Sequence, residues 1–215
     1  MELAASAEQR REIARQLRDG GLVPCCISPG VKFCHDEQAK RDEEQAKLTQ
    51  YIEMAAEIGI PHIRVFGDPI PNTGAGTRQR NYKVQSDYLG EAAERAAHAG
   101  VQLVLETHMN FRALDADEVL YLAGYPAELW VNWHLGHCLR HGEDVDEAYR
   151  HVKGRVGHVH WNIVEEKVER LHLHRQFELL AGEGYDGYCS VEVINPPEPL
   201  KVLAEHAEAW QELTV

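Results

Sequence analysis

The stretch Val101-Gln-Leu-Val-Leu-Glu106 reads as a buried strand that ends in a carboxylate. Three others follow the same pattern: Leu129-Trp-Val-Asn-Trp-His134, Gly157-His-Val-His160 and Tyr188-Cys-Ser-Val-Glu192. Each is a short run with β-branched or aromatic residues, and a helix-like segment follows each one. Each also closes on a side chain that can bind a metal or move a proton. The residues delivered are Glu106, His134, His160 and Glu192. Four such strand ends in succession point to ligands converging on the mouth of a parallel barrel, with a divalent metal between two glutamates.

Side-chain parity agrees. Successive strand residues point to opposite faces. Asn132 and His134 therefore share one face, while Val131 and Trp133 share the other. Gln102, Val104 and Glu106 fall together, as do His158 and His160, and Ser190 and Glu192. Polar groups on the inner face near the C-terminal strand ends are what barrel active sites are made of.

The rest of the chain supplies the helices that such strands need. Residues 4–19 read as a helix stopped by Gly20-Gly21, and 36–58 as a second one stopped by Gly59. A strand is expected at 22–27 and another at 60–66, followed by a Pro/Gly loop over 67–77. Helices are expected at 82–99, 115–123, 145–152, 175–182 and 197–213, with a less regular segment at 163–173. Strands alternating with helices through short loops indicate βαβ units, a parallel sheet and a single domain over 1–215. An open doubly wound sheet shares this alternation. However, Gly74-Ala-Gly76 does not lead a strand into a helix and has no following Gly-Lys-Ser/Thr, so no nucleotide fingerprint supports it.

Composition narrows the function. The chain has 215 residues and 35 acidic against 22 basic side chains, a formal net charge of −13. Nucleic-acid surfaces need clustered Lys and Arg, so no nucleic-acid partner is expected. No apolar run approaches the ~20 residues of a membrane span, and no membrane role is expected. The start, Met1 to Arg11, has no apolar signal core and reads as an amphipathic helix. The cysteines, Cys25, Cys26, Cys34, Cys138 and Cys189, are odd in number and form no Cys-x-x-Cys pair. They are expected to be reduced thiols in a cytoplasmic protein.

Taken in order, Leu105-Glu-Thr-His108, His134-Leu-Gly-His137 with Gly142-Glu143, His158-Val-His160 and Gly184-Tyr-Asp-Gly-Tyr-Cys-Ser-Val-Glu192 resemble the xylose isomerase-like TIM-barrel superfamily. This is the group of sugar-phosphate isomerases and epimerases related to endonuclease IV. The resemblance runs from about residue 20 to 213. It implies a TIM-type (β/α) barrel in which Glu106 ends the fourth strand as metal ligand and acid/base. Glu192 ends the eighth strand as its partner, His160 is the sixth-strand ligand, and His137 contacts substrate. His108 is a further substrate contact, and Arg64, inward by parity, either binds a sugar hydroxyl or pairs with Glu106.

Three departures bear on what the resemblance implies. The fifth-strand position that is usually Asp is His134. Trading a carboxylate for imidazole favours Mn, Zn or Co over Mg. The family's Asp after the sixth-strand His is absent, since Trp161-Asn162-Ile163 follows His160. The chain also lacks a first strand, leaving edges to be covered, with a homodimer the expected cover. His172-Leu-His174 resembles the Asp-x-His pair that binds further zinc in the endonuclease IV branch, a second metal pair. Gly67, however, stands where that branch has a histidine, and His35 is a candidate for the earlier one.

These readings lead to a metal-dependent sugar or polyol isomerase/epimerase. Base and acid carboxylates would move a proton next to a carbonyl while a divalent ion stabilises the charge that develops. Two alternatives stand beside it: a degenerate barrel that only binds a ligand, and a zinc-dependent nuclease. His158 is expected in the core, and His98, His141, His151 and His206 in solvent.

Overall fold

The computed structural model describes residues 3–67, 75–164 and 168–214. Its elements alternate along the chain. Helix α1 (Ala7–Asp19) precedes β1 (Cys26–Ile27), α2 (Gln38–Ile58) and β2 (His62–Phe66). Then come α3 (Ala75–Ala99), β3 (Gln102–Glu106), α4 (Ala113–Leu122), β4 (Leu129–His134), α5 (Leu135–Arg140) and α6 (Val145–Val152). β5 (Val156–Trp161), α7 (Arg170–Gly182), β6 (Cys189–Val191) and α8 (Pro199–Leu213) complete it.

All strands pair in parallel, in the order β1-β2-β3-β4-β5-β6. Parallel neighbours need helical crossovers, and these cover the outer face of the sheet. The outward side chains Ile63, Val65, Leu103, Leu105, Val131, Trp133 and Val159 are all buried against the helices. The result is an α/β fold with a curled parallel sheet that stops short of a closed eight-stranded barrel, as the missing first strand led us to expect.

The six strands fall where the sequence placed strands, but the numbering implied by the resemblance departs in one respect. His160 and Glu192 were assigned to sixth and eighth strands, which implies a strand between them. Instead β5 and β6 are hydrogen-bonded neighbours, with Val159 opposite Cys189 and His160 opposite Ser190. The sheet is thus two strands short of eight among the described residues, and its edges are β1 and β6. Along the β6 edge, Tyr188, Val191, Leu203 and Trp210 remain exposed.

Other boundaries moved for local reasons. β1 keeps only the end of the expected 22–27 strand, because Pro24 cannot donate to a ladder. α3 begins at Ala75 rather than 82, and most of the expected loop, 68–74, lies outside the described residues. α5 was not foreseen; its six residues are too few to show a helical period. α7 starts at Arg170 instead of 175.

Two buried side chains tie the helices to one another. Glu143 is buried and accepts from Ala113 N at 2.8 Å and Leu114 N at 2.9 Å, which caps the start of α4. Asp115 in the same helix accepts from Arg112 N at 2.7 Å and from the Tyr82 hydroxyl. Glycine is required at two close approaches. A Cβ on Gly67 would fall 2.3 Å from the Phe111 ring. One on Gly157 would fall 3.0 Å from both Trp130 Cβ and Val104 Cγ1. The register shift between Val131 and Asn132 lies beside Gly157, and it brings Asn132 opposite His158 and His134 opposite His160.

Candidate metal centre

The four strand ends do converge. Glu106 ends β3, His134 ends β4, His160 lies near the end of β5, and Glu192 follows β6. Each offers one donor atom, and all four donors lie within 4.8 Å of one another. Glu106, His134 and His160 are buried, while the Glu192 side chain is 29% exposed and faces the mouth.

Three of the four measured separations fit a shared ion, and the fourth is a direct hydrogen bond between His160 and Glu106. Donors about 2.1 Å from a tetrahedral ion lie roughly 3.4 Å apart. Here His134 Nδ1 is 3.8 Å from Glu106 Oε1 and 3.4 Å from Glu192 Oε2. His160 Nδ1 is 2.6 Å from Glu106 Oε1 and 3.2 Å from Glu192 Oε2. Two carboxylates and two neutral imidazoles balance a divalent charge.

Neighbours hold the set in place. Thr107 Oγ1 accepts from His134 N at 2.8 Å and donates to His134 O at 3.1 Å, which fixes the His134 backbone to the end of β3. Asn132 Nδ2 donates to Glu106 Oε1 at 3.3 Å. Arg64 Nε lies 3.4 Å from Glu106 Oε2. Asn162 Nδ2 donates to the Glu192 carbonyl at 2.6 Å. Burial works against ionising Glu106, but His134, His160 and Arg64 outweigh it and hold the carboxyl down at about 2. Burial is likewise outweighed at Glu192, which His134 and His160 keep well below the usual carboxylate range. Burial lowers His160, yet its bonds to Glu106 and Glu192 win and raise it.

A second polar layer lies beneath. His158 Nε2 meets Ser190 Oγ at 2.9 Å, and His62 Nε2 meets Gln102 Oε1 at 3.0 Å. Burial lowers His158 to about 4 and keeps it neutral at ordinary pH. His158 thus has the expected core position. His62 and Thr107 were not singled out from the sequence, although the parity of His62 with Arg64 marks it as inward.

Around the mouth, rings form a continuous wall. Phe66 and His108 centroids are 4.5 Å apart, His108 and His137 4.9 Å, and His137 and His134 4.4 Å. The candidate contact residues Arg64, His108 and His137 are therefore grouped with the four donors. His172 and His174 are not a matched pair. Both lie on α7, where residues two apart point to different faces. Neither they nor His35 join a metal-capable group among the described residues. His206, expected in solvent, is buried beside Trp161. Its Nε2 accepts from Ile163 N at 3.2 Å, so Nδ1 carries the proton it donates to Val202 O at 2.7 Å. The cysteines are all free.

Residues 2–213 match the family described as xylose isomerase-like TIM barrel. The chain belongs to this family. Within the xylose isomerase-like family, solved structures share the fold at low identity. One is 3-keto-D-glucoside 4-epimerase, YcjR, from E. coli, with TM-score 0.77 and 18% identity over 96% of this chain and 84% of that one. A D-psicose 3-epimerase superposes with TM-score 0.75 and 16% identity over 88% and 71%. An L-ribulose 3-epimerase gives 0.74 and 20% over 94% and 78%. No curated protein matches the chain. No helix among the described residues is long and apolar enough to cross a membrane.

Proposed function

We propose that this protein is a metal-dependent isomerase or epimerase that moves a proton next to the carbonyl of a small sugar or polyol-derived substrate. The observation that carries this reading is the set Glu106, His134, His160 and Glu192, with all donors within 4.8 Å at the C-terminal end of a parallel sheet. Two imidazoles among four donors favour Mn, Zn or Co over Mg. A divalent ion held there would supply Lewis-acid stabilisation of the negative charge on substrate oxygens.

The remaining work falls to side chains. Glu106 and Glu192 are both held ionised at rest, so each begins as a base. One takes the proton from the carbon beside the carbonyl as the C–H electron pair moves toward the carbonyl oxygen. The carboxylic acid so formed is the acid of the next half-step. Returning the proton to the former carbonyl carbon, while the hydroxyl proton passes from one substrate oxygen to the other, gives isomerisation. Delivering one to the opposite face gives epimerisation and requires exchange with solvent, which the 29% exposure of Glu192 provides. Arg64, His108 and His137 line the mouth and would orient the substrate.

The test is hydrogen exchange. In D₂O the metal-loaded protein should incorporate deuterium at the α-carbon of a ketose substrate, and Glu192→Gln should abolish this while leaving the fold intact. Exchange at the wild-type rate in Glu192→Gln would remove Glu192 from the mechanism.

The open sheet favours a second reading, a barrel that binds without turnover. Under it the same ligand binds and no deuterium enters. A nucleic-acid substrate fits poorly with a net charge of −13 and an unmatched His172–His174 pair.

A further inference from the structure

Arg64 is 7% exposed, yet it leaves much of its donor capacity unused. Neither Nε nor Nη1 has a hydrogen-bond partner. Nε sits 3.4 Å from Glu106 Oε2, an ion pair without hydrogen-bond geometry. The guanidinium lies over the Phe66 ring, its central carbon 3.7 Å from the centroid, which fixes its plane. A guanidinium cannot give up its charge, and buried unpaired donors on a charged group are costly. A planar anion presenting two oxygens to the fork would remove that cost.

Charge balance around Arg64 points the same way. Glu106 and Glu192 together offset one divalent ion, and His134 adds no negative charge where a carboxylate would have done so. Arg64 is then in surplus. The polar groups beneath it that cannot ionise, Asn132, Ser190 and Gln102, do not compensate. This local excess sits in a chain of formal charge −13, so it belongs to the site and not to the surface as a whole.

Position decides what kind of anion fits. Arg64 touches a carboxylate of the donor set, so an anion bound to it lies beside the reacting carbons. A carboxylate bonded directly to that part of a sugar meets this condition, whereas a phosphate at the far end of a sugar chain would reach the outer loops. We propose that the substrate is a sugar acid or keto acid, and that Arg64 receives its carboxylate. This rests on the metal-site reading above.

The experiment compares matched ligands by calorimetry on the manganese- or zinc-loaded protein: D-gluconate against D-glucitol, and D-glycerate against glycerol. Glycerol 3-phosphate serves as the phosphate arm. Wild type should bind each carboxylate at least tenfold more tightly than its neutral twin. Carboxylates also bind metals directly, so the deciding comparison is Arg64→Met, with metal content and circular dichroism measured in parallel. The preference should fall about tenfold in Arg64→Met at unchanged metal content, and Arg64→Lys should keep an intermediate preference. Where Arg64→Met does not fold, Arg64→Lys decides: a preference equal to wild type overturns the proposal. It is also overturned if the neutral twins bind as tightly, or if Arg64→Met weakens glycerol 3-phosphate and spares glycerate. A protein that takes up no metal overturns both this inference and the reading beneath it. A metal-loaded protein without carboxylate preference overturns this inference alone.

Discussion

Replacing Glu143 tests how the helices are tied together. Its carboxylate is buried and accepts two backbone hydrogen bonds at the start of α4, from Ala113 at 2.8 Å and Leu114 at 2.9 Å. Hydrogen bonds to a charged group contribute about 1.5–3 kcal/mol each, and a donor left buried without a partner carries a penalty of its own. Gln keeps one acceptor oxygen but turns an amide N–H₂ toward the other donor. Glu143→Gln should therefore destabilise the apoprotein by about 2–3 kcal/mol, and Glu143→Ala by about 3–5 kcal/mol. For a chain of this size each kcal/mol lowers Tm by roughly 2–4 °C, which puts the Gln variant about 4–12 °C below wild type. The assay is thermal and urea unfolding of metal-free protein followed by circular dichroism. Metal affinity should change little, because the four donors sit on or directly after strands β3 to β6 and not on α4. A loss below about 1 kcal/mol in Glu143→Ala would refute the capping argument. So would a metal affinity that falls in step with stability.

Three further substitutions test other parts of the structure. Gly67→Ala pushes a methyl into the Phe111 ring, 2.3 Å away, and should lose about 1–3 kcal/mol by chemical denaturation; wild-type stability would show that Phe111 gives way freely. His134→Asp adds a third carboxylate, and competition titrations should show its preference moving from zinc toward magnesium. The same variant should also lose part of the carboxylate preference assigned to Arg64. If a second copy covers the β6 edge, sedimentation should give twice the chain mass and Trp210→Glu should give monomers; a monomeric wild type at micromolar concentration would reject the dimer.

Much of the site was legible because a parallel barrel obeys a period of two. Glu106, His134, His160 and Glu192 each close an apolar run, and parity alone placed Asn132, His158 and Ser190 on the same inner face. What stayed hidden depends on contacts distant in sequence. The resemblance numbers β6 as an eighth strand, and nothing in the residues shows that it pairs directly with β5. His206 looked like a solvated helix residue until Ile163 and Trp161 closed over it. Thr107 reads as an ordinary strand-end residue, and its grip on the His134 backbone appears only once β3 and β4 are side by side. His172 and His174 stand out through their likeness to the Asp-x-His pair of the endonuclease IV branch, but a helix beginning at Arg170 turns them apart.

The central claim is a metal centre built by four strand ends, and the most direct test is calorimetric titration of chelator-treated protein with zinc and with manganese. The account predicts one ion per chain in the wild type and a loss of at least tenfold in affinity in each of Glu106→Gln and His160→Ala, with circular dichroism unchanged. A folded wild type that binds no divalent ion would contradict it. So would one that binds equally well after both substitutions.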